Sequence, residues 1–111
     1  MMKKILIALL MVPALARAEF FTGNQLLTLL RSNEMWDRMQ GLGYIQGVFD
    51  ANMSIVICPP AGVTAGQVND MIKNYLENTP ATRNRSADRL IQDALKSVWP
   101  CQNRNVPGRG A

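Results

Sequence analysis

Thr64-Ala65-Gly66-Gln67-Val68-Asn69-Asp70-Met71-Ile72-Lys73-Asn74-Tyr75-Leu76-Glu77-Asn78-Thr79-Pro80 carries its own start, stripe and stop. Thr64 and Gln67 have the T-x-x-Q spacing of a capping box, in which two side chains satisfy backbone N–H groups left open at a helix start. Val68, Met71, Ile72, Tyr75 and Leu76 follow at spacings of three and four, lining one helix face with apolar side chains. Thr79-Pro80 ends the run near Asn78, because the residue before a proline avoids the α region. Downstream, Ser86 is placed to cap a helix on which Ala87, Leu90, Ile91, Ala94, Leu95 and Val98 share a face, stopped by Pro100. Upstream, a long helix is expected from about Glu34 to Met53. There Met35, Met39, Leu42, Ile45, Phe49 and Met53 form a single buried stripe, and Glu34 pairs with Arg38 at i, i+4. A first helix runs from about Gly23 to Arg31, with Leu26, Leu27, Leu29 and Leu30 as its apolar face and Thr22 or Asn24 as its cap. Ile55-Val56-Ile57 is β-branched but too short to build a sheet. The fold class is therefore all-α: a compact bundle of about four helices.

The ends of the chain read differently. Lys3 and Lys4 precede the apolar run Ile5–Val12, and Ala16-Arg17-Ala18 supplies an A-x-A site, so residues 1–18 are expected to be a signal peptide cleaved near Ala18. Eight apolar residues fall well short of the ~20 that span a bilayer as helix, so no membrane anchor is expected. Residues 102–111, with Pro107, Gly108 and Gly110, show no apolar periodicity and are expected to be a disordered tail.

Export changes the reading of charge and cysteine. The 111-residue chain has 12 Lys+Arg, 8 Asp+Glu, two Cys and no His, for a formal charge of +4. Lys3, Lys4 and Arg17 leave with the signal, so nine bases remain against eight acids and the surplus needed to grip nucleic acid is gone. Cys58 and Cys101, the only two cysteines, are delivered to an oxidising compartment and expected to pair. Closing a loop of that length restrains the unfolded chain by about 4 kcal/mol. Without His, no His-containing zinc site and no Ser-His or Cys-His catalytic pair can be assembled, the two Cys alone make an incomplete metal site, and no cofactor is indicated.

Three clusters stand out as candidates for a special role. Gly41, Gly43 and Gly47 fall inside the long helix, and each costs about 1 kcal/mol relative to alanine. Close helix–helix packing at these glycines is the expected compensation, with Gly43 and Gly47 as the structural positions. Asp50 falls near the buried stripe, where a carboxylate needs donors from a neighbouring backbone or an arginine. Asn78, Arg83, Asn84, Arg85 and Arg89 surround the break between the last two helices. They read either as a solvated face, with Arg89 paired to Asp93, or as a protruding contact surface. Trp36, Trp99 and the methionines outside the signal are expected in or near the core.

Taken in order, several words of the chain resemble the Tai family, the type VI secretion amidase immunity proteins. They are Gly23-Asn24-Gln25-Leu26-Leu27, Gly43-Tyr44-Ile45-Gln46-Gly47-Val48-Phe49-Asp50-Ala51, Cys58-Pro59-Pro60, Gly62-Val63-Thr64-Ala65-Gly66-Gln67, Tyr75-Leu76, Ser86-Ala87, Ala94-Leu95 and Trp99-Pro100-Cys101. The resemblance implies a helical immunity domain over residues 19–101, periplasmic and homodimeric, that blocks a secreted peptidoglycan amidase effector. It also implies a second Cys–Cys link in many relatives, at positions occupied here by Leu30 and Gly41. The expected function is that of a stoichiometric inhibitor with no catalysis of its own, making contact through the region 78–89. A small periplasmic holdase or envelope-stress protein is the competing expectation, since an all-α shape with Met-rich apolar faces suits that role too.

Overall fold

The computed structural model describes residues 20–102. The expected signal peptide and, beyond Gln102, the expected tail lie outside the described residues. Four α-helices are present among them: α1 (Gly23–Arg31), α2 (Met35–Asn52), α3 (Ala65–Asn78) and α4 (Ala87–Val98). A single 3-10 turn, Pro80–Thr82, sits between α3 and α4. All-α class, helix number and helix order follow the periodicity of the sequence. The core joins Leu26, Leu27 and Leu30 of α1, Ile45 and Phe49 of α2, Val68, Ile72 and Leu76 of α3, and Leu90, Ile91 and Leu95 of α4. Ile57, fully buried in the α2–α3 connection, completes it.

The caps differ in part from expectation. Thr64 accepts from the Gln67 N–H at 3.1 Å, but the reciprocal bond that completes a capping box forms at α1 instead. There Thr22 Oγ1 accepts from the Gln25 N–H and the Gln25 side chain accepts from the Thr22 N–H, at 3.2 and 2.9 Å. Ser86 stands at the start of α4 without a side-chain capping bond. Its place is taken by backbone, because the Ala87 N–H donates to the Phe21 carbonyl at 2.7 Å. In return the Gly23 and Asn24 N–H groups, open donors at the start of α1, donate to the carbonyls of Arg85 and Arg83 at 2.9 and 2.8 Å. The two helix starts thus complete one another. Gly23 is needed for this approach: a Cβ there would lie 2.5 Å from Leu90 Cδ1 and 2.8 Å from the Arg83 carbonyl oxygen.

α2 departs most from the sequence reading. Its buried line is Gly41, Ile45 and Phe49, while Met35, Met39, Leu42 and Met53 are exposed and Trp36 is 83% exposed. At 3.6 residues per turn, Met35 and Met39 point roughly a quarter turn or more away from the buried line, while Leu42 sits at its edge. Gly41 adds nothing to a hydropathy pattern, yet it decides the rotation, since it lets α2 approach α1 until a Cβ would meet Leu30 Cδ2 at 3.0 Å and Leu29 Cβ at 3.3 Å. Leu30 and Gly41, the positions where the resemblance implied a second disulfide, are therefore in contact. The expected Glu34–Arg38 ion pair does not form. The Arg38 guanidinium donates to the Ser32 carbonyl at 2.8 Å instead, and Ser32 Oγ donates to Asp37 at 2.7 Å.

Cys58 and Cys101 are bonded, with Cα atoms 4.8 Å apart. The Cys58 N–H donates to the Trp99 carbonyl at 2.9 Å beside the link, and Ile57 forms a backbone bridge with Pro100. The α2–α3 connection is thereby sewn to the end of α4. Arg31 and Glu77 form an ion pair at 3.0 Å across α1 and α3, exposed enough that about 1 kcal/mol is its ceiling.

Two outcomes test this packing. Gly23→Ala should lower the urea-unfolding free energy by about 2 kcal/mol despite the better helix propensity of alanine, because the obstacle includes backbone. A Leu30→Cys/Gly41→Cys double variant should oxidise spontaneously, leaving no titratable thiol in the unfolded protein. Two reactive thiols would show that these positions do not meet.

Candidate functional site

The segment from Asn78 to Arg89 is held at both ends. Asn78 closes α3, with its Nδ2 donating to the Asn74 carbonyl at 2.8 Å and to Asn74 Oδ1 at 3.0 Å. Thr79 Oγ1 donates to the Tyr75 carbonyl at 2.7 Å, and the 3-10 turn follows. The Arg85 N–H donates to the Thr82 carbonyl at 3.0 Å, after which the carbonyls of Arg83 and Arg85 receive α1 and the chain enters α4. Backbone bonds to α1 and side-chain bonds from Asn78 and Thr79 together fix this segment, so its outward side chains are carried on a firm support.

Four of the five candidate contact residues face outward. Asn78, Asn84, Arg85 and Arg89 are exposed, with Asn84, Arg85 and Arg89 clustered around the start of α4. Arg83 behaves differently. It is half-buried, one guanidinium nitrogen reaches the Leu76 carbonyl at 3.4 Å, and its Nε is buried without a protein partner. Its side chain fills the corner between α3 and the turn, over the open end of the α3 carbonyl ladder. The Arg89–Asp93 pair is not formed, the Arg31–Glu77 pair being the one ion pair among the described residues. Asn78 lies apart from the arginines, on the rim of a groove of about 380 Å³ between α3 and α4 that is lined by Met71, Tyr75, Ala94 and Val98.

The α2 candidates require correction. Neither Gly43 nor Gly47 packs against another helix of the chain: both are exposed, and a Cβ at either would meet nothing within 4 Å. The close approach expected there occurs at Gly41. Asp50 is exposed as well and accepts from Gln46 Nε2 at 2.9 Å one turn back, with no bond to a neighbouring backbone. The buried stripe lies on the other side of α2, which removes the reason for Asp50 to need donors.

Sequence reasoning missed the groove that these glycines open. Gly43, Tyr44, Gly47, Val48, Ala51 and Asn52 of α2 face Asp88 and Gln92 of α4 around a shallow cavity of about 360 Å³. Tyr44 stacks at a tilt on Phe21, ring centroids 5.1 Å apart. Burial, and then the neighbouring Asp88 carboxylate, push the Tyr44 hydroxyl above its ordinary pKa, partly offset by a hydrogen bond with the Asp88 backbone. The available signal was the cost of two helical glycines with no compensation inside the bundle.

Among the described residues no group of three or more Cys, Asp or Glu gathers as a metal site. No helix among them is long and apolar enough to cross a membrane. The sequence profile of the Rap1a immunity proteins matches residues 22–101, the whole of the bundle through the second cysteine. No curated protein sequence matches the chain.

The different settings of the arginines give a direct test. Arg83→Ala should cost about 1–2 kcal/mol in urea unfolding, through lost packing of its stem and a carbonyl left open, whereas Arg85→Ala and Arg89→Ala should stay within about 0.5 kcal/mol of the parent.

Proposed function

Because the chain belongs to the Rap1a immunity protein family, we propose that it protects its producer by binding and occluding the active site of a type VI secreted peptidoglycan amidase. In this reading residues 1–18 direct export, cleavage follows Ala18, and the bundle is oxidised and works in the periplasm as a homodimer, the assembly that the Tai resemblance implies. The protein needs no chemistry of its own for this task. Both cysteines are already bonded to each other, and what obstruction requires is a rigid projection that excludes substrate.

The observation that carries the proposal is the exposed set Asn84, Arg85 and Arg89 on a backbone fixed by hydrogen bonds to α1. Such a projection loses little conformational freedom on binding, so more of its contact energy appears as affinity. Arginine supplies a planar fork of donors that can engage carboxylates and carbonyls lining a peptide-cleaving cleft. Arg83 belongs to the support of this surface, and Asn78 to its far margin.

Calorimetric titration against candidate amidases from the same gene neighbourhood should give a nanomolar to micromolar complex with one of them, together with inhibition of its murein cleavage. An Arg85→Glu/Arg89→Glu variant should bind at least about tenfold more weakly while keeping its helical circular dichroism. Absence of heat with every neighbouring candidate amidase would refute the proposal. Export is checked separately: protein recovered from the envelope should begin at Glu19.

A further inference from the structure

The groove between α2 and α4 has no use in the bundle that contains it. Its walls are largely apolar: the half-buried ring of Tyr44, with Val48 and Ala51, beside α2 backbone left bare at Gly43 and Gly47. A Cβ at either glycine would meet nothing within 4 Å, so no neighbour in the chain fills the space they leave. Two glycines inside a helix are unfavourable, and the single chain shows no return for them. The one charge on the lining is the Asp88 carboxylate, which forms no ion pair among the described residues. No base lines the groove to balance it.

We infer that this groove is a socket for a single lysine or arginine side chain of the secreted effector. The inference rests on the proposed function and adds a second point of contact, opposite in charge to the arginine set. Lysine and arginine lay an apolar stem along apolar surface and keep the charged head at its margin. The stem lies along the bare backbone of α2, against Val48 and Ala51, and the head reaches the Asp88 carboxylate in a charge-assisted hydrogen bond.

Three features support that occupant. At about 360 Å³ the groove stands at the small end of ligand pockets, which run from about 300 to 1,000 Å³, and it is shallow. It therefore suits a side chain delivered by another protein surface better than an enclosed small molecule. The socket is also built in advance, because Phe21 holds both of its walls. The Phe21 ring stacks on Tyr44 at 5.1 Å, and the Phe21 carbonyl accepts from the N–H of Ala87, the residue before Asp88, at 2.7 Å. Last, Asp88 stands in the chain between the exposed Arg85 and Arg89. A surface that engages the two arginines is brought to the mouth of the groove, and the alternation of charge fixes its register.

Calorimetric titration of the oxidised protein against candidate amidases from the same gene neighbourhood tests the inference. Gly47→Leu should bind at least about tenfold more weakly, with helical circular dichroism and urea midpoint at or above the parent's, since its side chain enters open space. Asp88→Lys should weaken the complex at least as much. One Lys→Glu or Arg→Glu change on the amidase should weaken the parent complex and restore binding to Asp88→Lys. A parent that binds none of the amidases overturns the proposed function and the inference with it. A complex weakened by Arg85→Glu/Arg89→Glu yet indifferent to Gly47→Leu and Asp88→Lys overturns the inference alone. So does an Asp88→Lys complex that no single charge reversal on the amidase restores. A Gly47→Leu variant that changes mass in sedimentation equilibrium while keeping its amidase affinity would assign the groove to a second copy of the chain and overturn it as well.

Discussion

The reciprocal backbone bonds between residues 21–24 and 83–87 are the constraint on which the rest of the structure depends. Each helix start presents open N–H groups that must be satisfied, and each extended approach presents carbonyls able to satisfy them. By crossing, the approach to α1 completes α4 and the approach to α4 completes α1, with the Ala87 N–H on Phe21 and the Gly23 and Asn24 N–H groups on Arg85 and Arg83. This arrangement removes the need for a capping side chain at Ser86 and makes a side chain at position 23 intolerable. It also holds the 83–89 segment still, and the proposed contact surface inherits its rigidity from that.

The disulfide plays the matching part at the other end of the bundle. Cys58 and Cys101 join a connection that has little regular structure to the residue pair just past α4, and Ile57 is drawn fully into the core beside them. A domain this small buries a limited share of its surface, so a covalent tie there has a large effect. Between the two fastenings, α1 and α2 are held by apolar contact, Leu30 against Gly41, and by the bonds of Ser32, just past α1, to Asp37 and Arg38. Where the resemblance implies a covalent bond, this chain has a leucine lying over a bare helix.

The helices, their order and the disulfide were legible in the sequence because each rests on a local signal: a stripe at spacings of three and four, a stop at proline, two cysteines behind an expected export signal. The rotation of α2 was not. Its apolar residues lie on two sides, and the side that wins is chosen by Gly41, a residue that registers in no hydrophobic pattern and acts only through another helix. The same ambiguity misdirected Trp36, Met35 and Met39 into the core and Asp50 toward it. Of the five contact candidates, the sequence could not tell that Asn78 lies apart from the arginines or that Arg83 turns inward, since that depends on where the carbonyl of Leu76 ends up. Residue type gave the chemistry of the surface, and tertiary packing chose its members.

The crossing of the two helix starts has a kinetic corollary. A polypeptide that emerges from a ribosome or a translocation pore does so from its N-terminus, and α1 appears first. Its leading amides find their acceptors only when residues some sixty positions later have cleared the exit, and the sulfur that seals the structure arrives later still. Contacts so distant along the chain close late. The bundle thus cannot be completed while residues 83–101 are still being threaded, a property that suits the export proposed for it.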